Sequence, residues 1–450
     1  MMNNKTKILY ICNECGHQQP KWSGLCPECG AWNSMVEERV LKKSSRRPVT
    51  EKRKLQSLSR PVTTNLQRRA TGIEEFDRVL GGGFVDGMVI LLAGEPGIGK
   101  STLVLQIVNR LQGERFLYFS GEESEEQVAL RATRMNVTDE RILVACENNL
   151  ETILNHIESQ QPSLVVIDSV QTVYSDMYDN VPGSVTQVRE CAGSLLRKAK
   201  EGNFCVVLIG HITKDGMIAG PKVLEHLVDT VLYLEGGKTN FYRTLRAMKN
   251  RFGSTHEVGL FTMKDIGLVP VDNPSEFFLA ERKKHVAGST VAVSMEGTRP
   301  FLIEVQALAT QSSYGNPQRT ANGIDHRRLA MLVAVLEKRA GFPLRLQDIF
   351  VNLVGGLRID ETAINLAVVV ALASSFKDVP VNPSAVFIGE VGLVGEIRSV
   401  PLIEQRVREA LKFGFKPVYI PRANAGQLEQ FKSDDVVGVD SINQLFNEIF

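Results

Sequence analysis

From Thr71 onward the chain alternates short unbroken apolar runs with longer stretches whose apolar residues recur every three or four positions. "MVILLA" (88–93), "RFLYFS" (115–120), "SLVVID" (163–168) and "FCVVLIG" (204–210) show no polar-out alternation. They predict strands covered on both faces, the pattern of a parallel sheet between helix layers. The intervening periodic stretches predict helices over 100–112, from about Glu125, and over 184–201. After residue 228, "DTVLYLEG", "FYRTLRAMK" and "EVGLFTMK" follow one another with short connections and predict an antiparallel extension of that sheet. A second domain is expected from near Glu281. "STVAVSMEGTRPFLIEVQALA" reads as a hairpin, 326–339 and 361–375 as helices, "AVFIGEVGLVGEIRSV" (385–400) as another hairpin and 401–413 as a helix. The predicted class is α/β: a parallel-sheet core at 71–280, a C-terminal α/β domain at 281–450, a small module at 1–40 and a linker at 41–70.

The linker reading rests on charge. "LKKSSRRPVTEKRKLQSLSRPVTTNLQRRA" (41–70) is rich in Lys, Arg, Ser and Thr, has Glu51 as its only acid and lacks sustained apolar periodicity. Such a segment is either a solvated tether or a contributor to phosphate-backbone binding. The whole chain carries a net charge of only +1, so any nucleic-acid signal is local. No apolar run approaches a membrane span, and residues 1–10 lack the features of a signal peptide. A cytoplasmic protein without membrane contact is expected, with its thiols reduced.

That changes the meaning of seven cysteines. Cys146, Cys191 and Cys205 lie in or beside apolar or helical stretches and are expected to be small core residues. Cys12, Cys15, Cys26 and Cys29 form two C-x-x-C pairs, each followed by a glycine, Gly16 and Gly30. Two such knuckles suit one tetrahedral Zn²⁺. A single redox pair would not explain the duplication, and four thiolates leave no open position for catalysis. A module of this size depends on its metal to fold. Its Lys21 and Trp22 are candidates for docking on a protein partner or on DNA.

"GEPGIGKST" (94–102) fits G-x-x-x-x-G-K-[ST] between a buried strand and a helix. Gly94, Glu95, Pro96, Gly97, Ile98, Gly99, Lys100, Ser101 and Thr102 would cradle nucleotide phosphates, Lys100 reaching the β/γ-phosphates and Ser101 a Mg²⁺ ion. Asp168, closing the strand "LVVID", is placed as the second acid at the metal. In "SGEES", Glu122 and Glu123 are either a water-orienting acid with its neighbour or a surface pair.

"TGIEEFDRVLGGGFVDGMVILLAGEPGIGKSTL" (71–103) resembles the RecA-like ATPases. With "KWSGLCPECGAWNS", the "KNRFG" motif at 249–253 and a C-terminal segment similar to the Lon-protease domain, the whole chain resembles the bacterial RadA (Sms) family. The resemblance implies an ATP-driven, DNA-dependent, helicase-type motor on recombination intermediates, with ATP, Mg²⁺ and Zn²⁺ as cofactors. Implied partners are single-stranded and branched DNA, a RecA-type strand-exchange recombinase, a replicative helicase or other recombination proteins, and further copies of the chain in a hexameric ring. Residue by residue, it makes Glu122 the catalytic glutamate and Lys249 and Arg251 fingers reaching a neighbouring subunit's γ-phosphate. Taken alone, "KNRFG" reads equally as a basic surface turn. His211 resembles the polar sensor between γ-phosphate and DNA loop, against the plainer reading of a structural histidine. "TKDGMIAGPK" (213–222), with Lys214 and Lys222, and "YSDMYDNVPGSVTQVRE" (174–190), ending in Gln187 and Arg189, are candidate pore loops; solvated loops are the alternative.

Two rival classes follow from the same residues. In the Lon-like segment Thr362 or a neighbour falls at the serine position and Glu404 at the lysine position; glutamate cannot supply a neutral amine, so peptidase activity is not expected. The domain is expected to hold subunits together, with Arg327, Arg328, Arg345 and Arg358 available to duplex DNA. The other rival is an ATP-dependent switch that acts as a scaffold for proteins without translocating.

Overall fold

The computed structural model describes residues 6–41, 67–211, 222–236, 242–312, 317–356, 358–428, 430–432 and 434–450. The chain divides into two compact units, the first running essentially to Pro270 and the second from Val271 to Phe450. Among the described residues no helix is long and apolar enough to cross a membrane.

The first unit opens with a ribbon of three antiparallel strands, β1 (Thr6–Cys12), β2 (Gln18–Gln19) and β3 (Met35–Leu41), ordered β2-β1-β3. Its main sheet has nine strands: β4 (Val89–Gly94), β5 (Phe116–Ser120), β6 (Ile142–Ala145), β7 (Leu164–Asp168), β8 (Cys205–His211), β9 (Thr230–Glu235), β10 (Tyr242–Asn250), β11 (Val258–Lys264) and β12 (Gly267–Pro270). Their order is β12-β11-β10-β9-β4-β8-β7-β5-β6. β9 still pairs parallel with β4, and the antiparallel extension begins at β10.

Alternation along the buried strands divides the side chains between two cores. Ile90, Leu92, Tyr118, Val166, Val207 and Ile209 face one layer with helices α1 (Glu74–Leu80), α2 (Lys100–Arg110) and α3 (Glu125–Arg134). Leu91, Leu117, Phe119, Val165, Ile167 and Leu208 face the other, with α4 (Leu150–Gln160) and α5 (Val185–Gly202). Because side chains repeat every two residues, Asp168 and His211 fall on the α2 side with Val166 and Ile209.

The ribbon packs on the second of these layers. Ile11 is fully buried in the same core as Val185 and Val223. A Cβ on Gly16 would lie 3.8 Å from Val185 Cγ1 and 3.9 Å from Val223 Cγ1. Val223 belongs to a short helix, α6 (Lys222–Glu225).

Two expectations change here. Cys191 and Cys205 are buried, but Cys146 is exposed: β6 is an edge strand and ends at Ala145, so the apolar run "RILVA" does not carry its cover onward. The end of the basic stretch belongs to the fold. Arg68 pairs with Val85 and Arg69 with Phe84, Arg69 meets Asp86 at 3.0 Å, and Arg68 donates to the Phe252 carbonyl.

The second unit has a seven-stranded sheet: β13 (Ser289–Glu296), β14 (Arg299–Gln311), β15 (Arg319–Asn322), β16 (Gln347–Leu353), β17 (Val386–Phe387), β18 (Val418–Pro421) and β19 (Val436–Val439), ordered β15-β16-β14-β13-β17-β18-β19. The first predicted hairpin is β13–β14. The second is shorter than expected. Val386 and Phe387, buried on both faces, join the main sheet in parallel, and only Glu390–Val391 pairs with Ile397–Arg398. The helix expected at 361–375 starts as a 3-10 turn at Thr362–Ile364 and continues over Asn365–Lys377.

Candidate functional site

The loop after β4 is shaped by close backbone approach. A Cβ on Gly94 would lie 2.4 Å from the Leu234 carbonyl oxygen of the neighbouring strand, so no larger residue fits there. Gly99 leads into α2 at φ 113°, the left-handed region glycine tolerates. α3, α4 and α5 are capped by Ser124, Asn149 and Ser184, whereas the first turn of α2 has no side-chain cap. Its free N–H groups suit an anion as their cap. Pro96, Gly97, Gly99, Lys100, Ser101 and Thr102 line a cavity of about 410 Å³ shared with Glu122, Asp168 and His211. Ile98 is buried beneath it.

Lys100 donates to the carbonyls of Gly94 and Glu95, both at 2.9 Å, and lies 3.1 Å from His211 Nδ1. Burial lowers its amine to a pKa of about 8, against the attraction of Asp168 and Glu122. On the other side of the imidazole ring, His211 Nε2 lies 3.4 Å from Glu122 Oε1. Glu122 accepts from Ser169 Oγ at 2.6 Å. The His211 contact, followed by the Ser169 hydroxyl, holds the Glu122 carboxyl down at about 2 despite partial burial. Glu123 also lines the cavity but pairs with Arg131. Of the two glutamates, Glu122 is the one in contact with the histidine. Four strand ends thus converge: β4 through its loop, β5 through Glu122, β7 through Asp168 and β8 through His211. The carboxyl edge of a parallel sheet is where such folds bind ligands.

The other nominated residues lie elsewhere. Lys249, near the end of β10, donates to the carbonyls of Glu225 (2.7 Å) and Val228 (2.8 Å); burial and the neighbouring Arg251 lower its pKa. Arg251 is 60% exposed, 3.9 Å from buried Asp229. Neither lines the cavity at Lys100. Arg189 is exposed on α5, and Lys222 starts α6, 3.5 Å from Glu14 of the ribbon. Lys214 falls at 212–221, outside the described residues. Gln187 is not a surface contact: it is 1% exposed, and its amide donates to the carbonyls of Ser175, Tyr178 and Asn180. It pins the 174–184 loop from below.

In the ribbon the four cysteine sulfurs lie within 4.8 Å of one another, with Cys12–Cys29 at 3.7 Å and Cys15–Cys26 at 3.6 Å. A tetrahedral Zn²⁺ with bonds of about 2.3 Å needs sulfur separations of about 3.8 Å, so this set fits the ion. The knuckles are alike: Gly16 N–H donates to the Cys12 carbonyl (2.8 Å) and Gly30 N–H to that of Cys26 (2.9 Å), both glycines at positive φ. Trp22 and Trp32 are 58% and 74% exposed and flank Gly24.

Comparison with known proteins gives three domain matches. Residues 10–37 match the rubredoxin metal binding domain, 69–144 the KaiC ATPase, and 314–424 subunit ChlI of Mg-chelatase. Over 446 residues the chain is 50% identical to DNA repair protein RadA of Bacillus subtilis, covering 97% of each. Those of Listeria monocytogenes and Streptococcus pyogenes are 48% and 47% identical, with 98–99% of each chain covered. The chain belongs to the RadA family of DNA repair proteins. This RadA-family chain is a nucleotide-binding, ATP-hydrolysing enzyme of mixed α/β fold with a metal-binding ribbon at its start.

The RadA-family site contains residues that sequence reasoning passed over. Tyr118 donates to Asp168 Oδ2 at 2.5 Å, and Ser169 holds Glu122. Arg131, Arg134, Met263 and Lys264 also line the cavity. Tyr118 carried a legible signal: a phenol in a strand buried on both faces must find a partner for its hydroxyl. Arg131 and Met263 carried none, because only the tertiary fold brings α3 and the end of β11 to the loop.

In the second unit, Arg406 is 1% exposed and pairs with Glu361 at 2.6 Å. Thr362 donates to Glu390 at 2.6 Å, while Glu404 faces Arg408 at the same distance. Among the described residues no lysine or histidine is hydrogen-bonded to Thr362.

Proposed function

We propose that the protein is a ring-forming, DNA-dependent ATPase that translocates on single-stranded DNA and extends or migrates the branches left by strand exchange. The observation that carries this reading is the contact series Lys100–His211–Glu122, at 3.1 Å and 3.4 Å. It links the phosphate loop to the last residue of β8, His211, two positions before the candidate DNA loop at 213–222 begins. DNA on that loop would shift His211 and with it the glutamate that orients water, so hydrolysis and grip would be coupled.

In this reading Lys100 and the first turn of α2 hold the phosphates, Ser101 and Asp168 hold Mg²⁺, and Glu122 is the base. The metal supplies charge neutralisation when bound. Lys249 and Arg251 act on the neighbouring subunit's nucleotide; their position outside their own cavity supports that assignment. Arg189, Lys222 and Lys214 contribute to a sequence-independent grip on phosphates. The four-cysteine ribbon carries Zn²⁺ and, through Lys21 and Trp22, recruits a protein partner such as a RecA-type recombinase or a replicative helicase. The division into ribbon, basic linker, ATPase and Lon-like domain is proposed as functional, in a hexameric cytoplasmic assembly. The relatives' shared name supports the DNA repair setting.

A peptidase reading finds no support in the second unit, where the Lon-type base position carries Glu404 and the interior cation is an arginine locked to Glu361. The deciding experiment measures ATPase and unwinding on tailed and forked DNA, with and without recombinase. Stimulation by single strands and ATP-dependent unwinding are expected. ATPase indifferent to DNA would instead favour the scaffold.

A further inference from the structure

Tyr118 is the one hydroxyl-bearing aromatic in β5, and nothing about the strand requires it. The side chain is 1% exposed, packed with Phe116, Val166 and Leu103 in the α2 layer, where phenylalanine would fill the same volume. Burying a phenol oxygen in such a layer is unfavourable unless it is hydrogen-bonded. Its partner is at the metal side of the nucleotide site: it donates to Asp168 Oδ2 at 2.5 Å. Register explains the meeting. Ser120 pairs with Asp168 and Tyr118 with Val166, so Tyr118 and Asp168 share one face, a strand apart and offset by two residues.

We infer that Tyr118 is a positioning residue for the metal side of the site, which fixes Asp168 in a single arrangement. By occupying Oδ2 it turns Oδ1 toward the cavity and prevents the carboxylate from rotating between equivalent poses. A ligand-bearing acid held from behind in this way binds its cation more tightly, and loss of such a support typically costs 10- to 100-fold in metal affinity. The inference rests on the nucleotide-site reading above.

The test uses the full chain with a non-hydrolysable ATP analogue and Mn²⁺, whose binding is followed by the loss of its free-ion electron paramagnetic resonance signal. Tyr118→Phe is expected to weaken Mn²⁺ binding about 10- to 100-fold. Metal-free binding of the analogue and the melting temperature should change little, and excess Mg²⁺ should restore most of the turnover. Wild-type Mn²⁺ affinity in Tyr118→Phe overturns the inference. A cycle with Ser101→Ala guards against a general packing defect: losses that fail to add support a shared role, and strictly additive losses count against it. Lys100→Ala controls the underlying reading. If it binds the analogue as wild type does, the nucleotide site itself is misplaced, whatever Tyr118→Phe does.

Discussion

At the scale of single residues, the site is governed by which groups share protons. Lys100 has a folded pKa of about 8 against an ordinary 10.5. Between those values the unfolded chain binds more protons, so this lysine adds stability as pH rises through the window and imposes its full penalty below it. Phosphate beside the amine reverses the shift. Nucleotide binding at about pH 9 should therefore take up protons, seen by calorimetry in buffers of different ionisation heat, and the uptake should vanish in Lys100→Ala. The same variant should lose at least about 10²–10³-fold in turnover. The residues that sequence alone located here are those with fixed spacing: the loop, Asp168 after its apolar run, and His211 at the end of another. Tyr118 and Ser169 act through bonds across strands or to a turn, and Arg131 through a helix face. Gln187 shows the converse error: a polar residue beside a loop looks like a surface contact until its amide is found satisfying three loop carbonyls.

At the scale of elements, unbroken apolar runs identified the parallel strands, because burial on both faces removes the polar positions that otherwise create ambiguity. Edges were harder. β6 has the composition of a core strand but only one neighbour, which is why Cys146 is exposed. β17 is two residues long and was absorbed into an apparent hairpin. The β4 loop depends on a contact no composition reveals, the 2.4 Å approach of a Gly94 Cβ to the Leu234 carbonyl. Gly94→Ala should accordingly lower stability by roughly 1–3 kcal/mol in denaturant titration and weaken nucleotide binding with it. The ribbon makes a different demand. Cys26→Ser, or strong chelation, should release the metal and raise amide exchange across residues 12–30 while leaving the main sheet protected; a metal analysis finding no zinc in the wild-type chain would refute the site.

At the scale of the whole molecule, the proposed motor separates chemistry from trigger. Lys100 and Glu122 line one cavity, while Lys249 and Arg251 do not. Mixed assemblies of Lys100→Ala and Arg251→Ala chains should then regain part of the DNA-stimulated ATPase that each lacks alone; no recovery at any ratio would place the fingers in their own subunit. The ribbon, read from sequence as a tethered head, proves to share a core with the ATPase layer through Ile11, Val185 and Val223. That sharing has a cost during biosynthesis. The ribbon's ligands are all made by residue 29, so it can close around its metal almost as soon as it emerges, yet α6, against which Ile11 rests, is completed only at Glu225. At about 5–20 residues per second, roughly 10–40 s pass between the two. For that interval a finished module exposes an apolar face on a nascent chain, and a chaperone has something specific to hold.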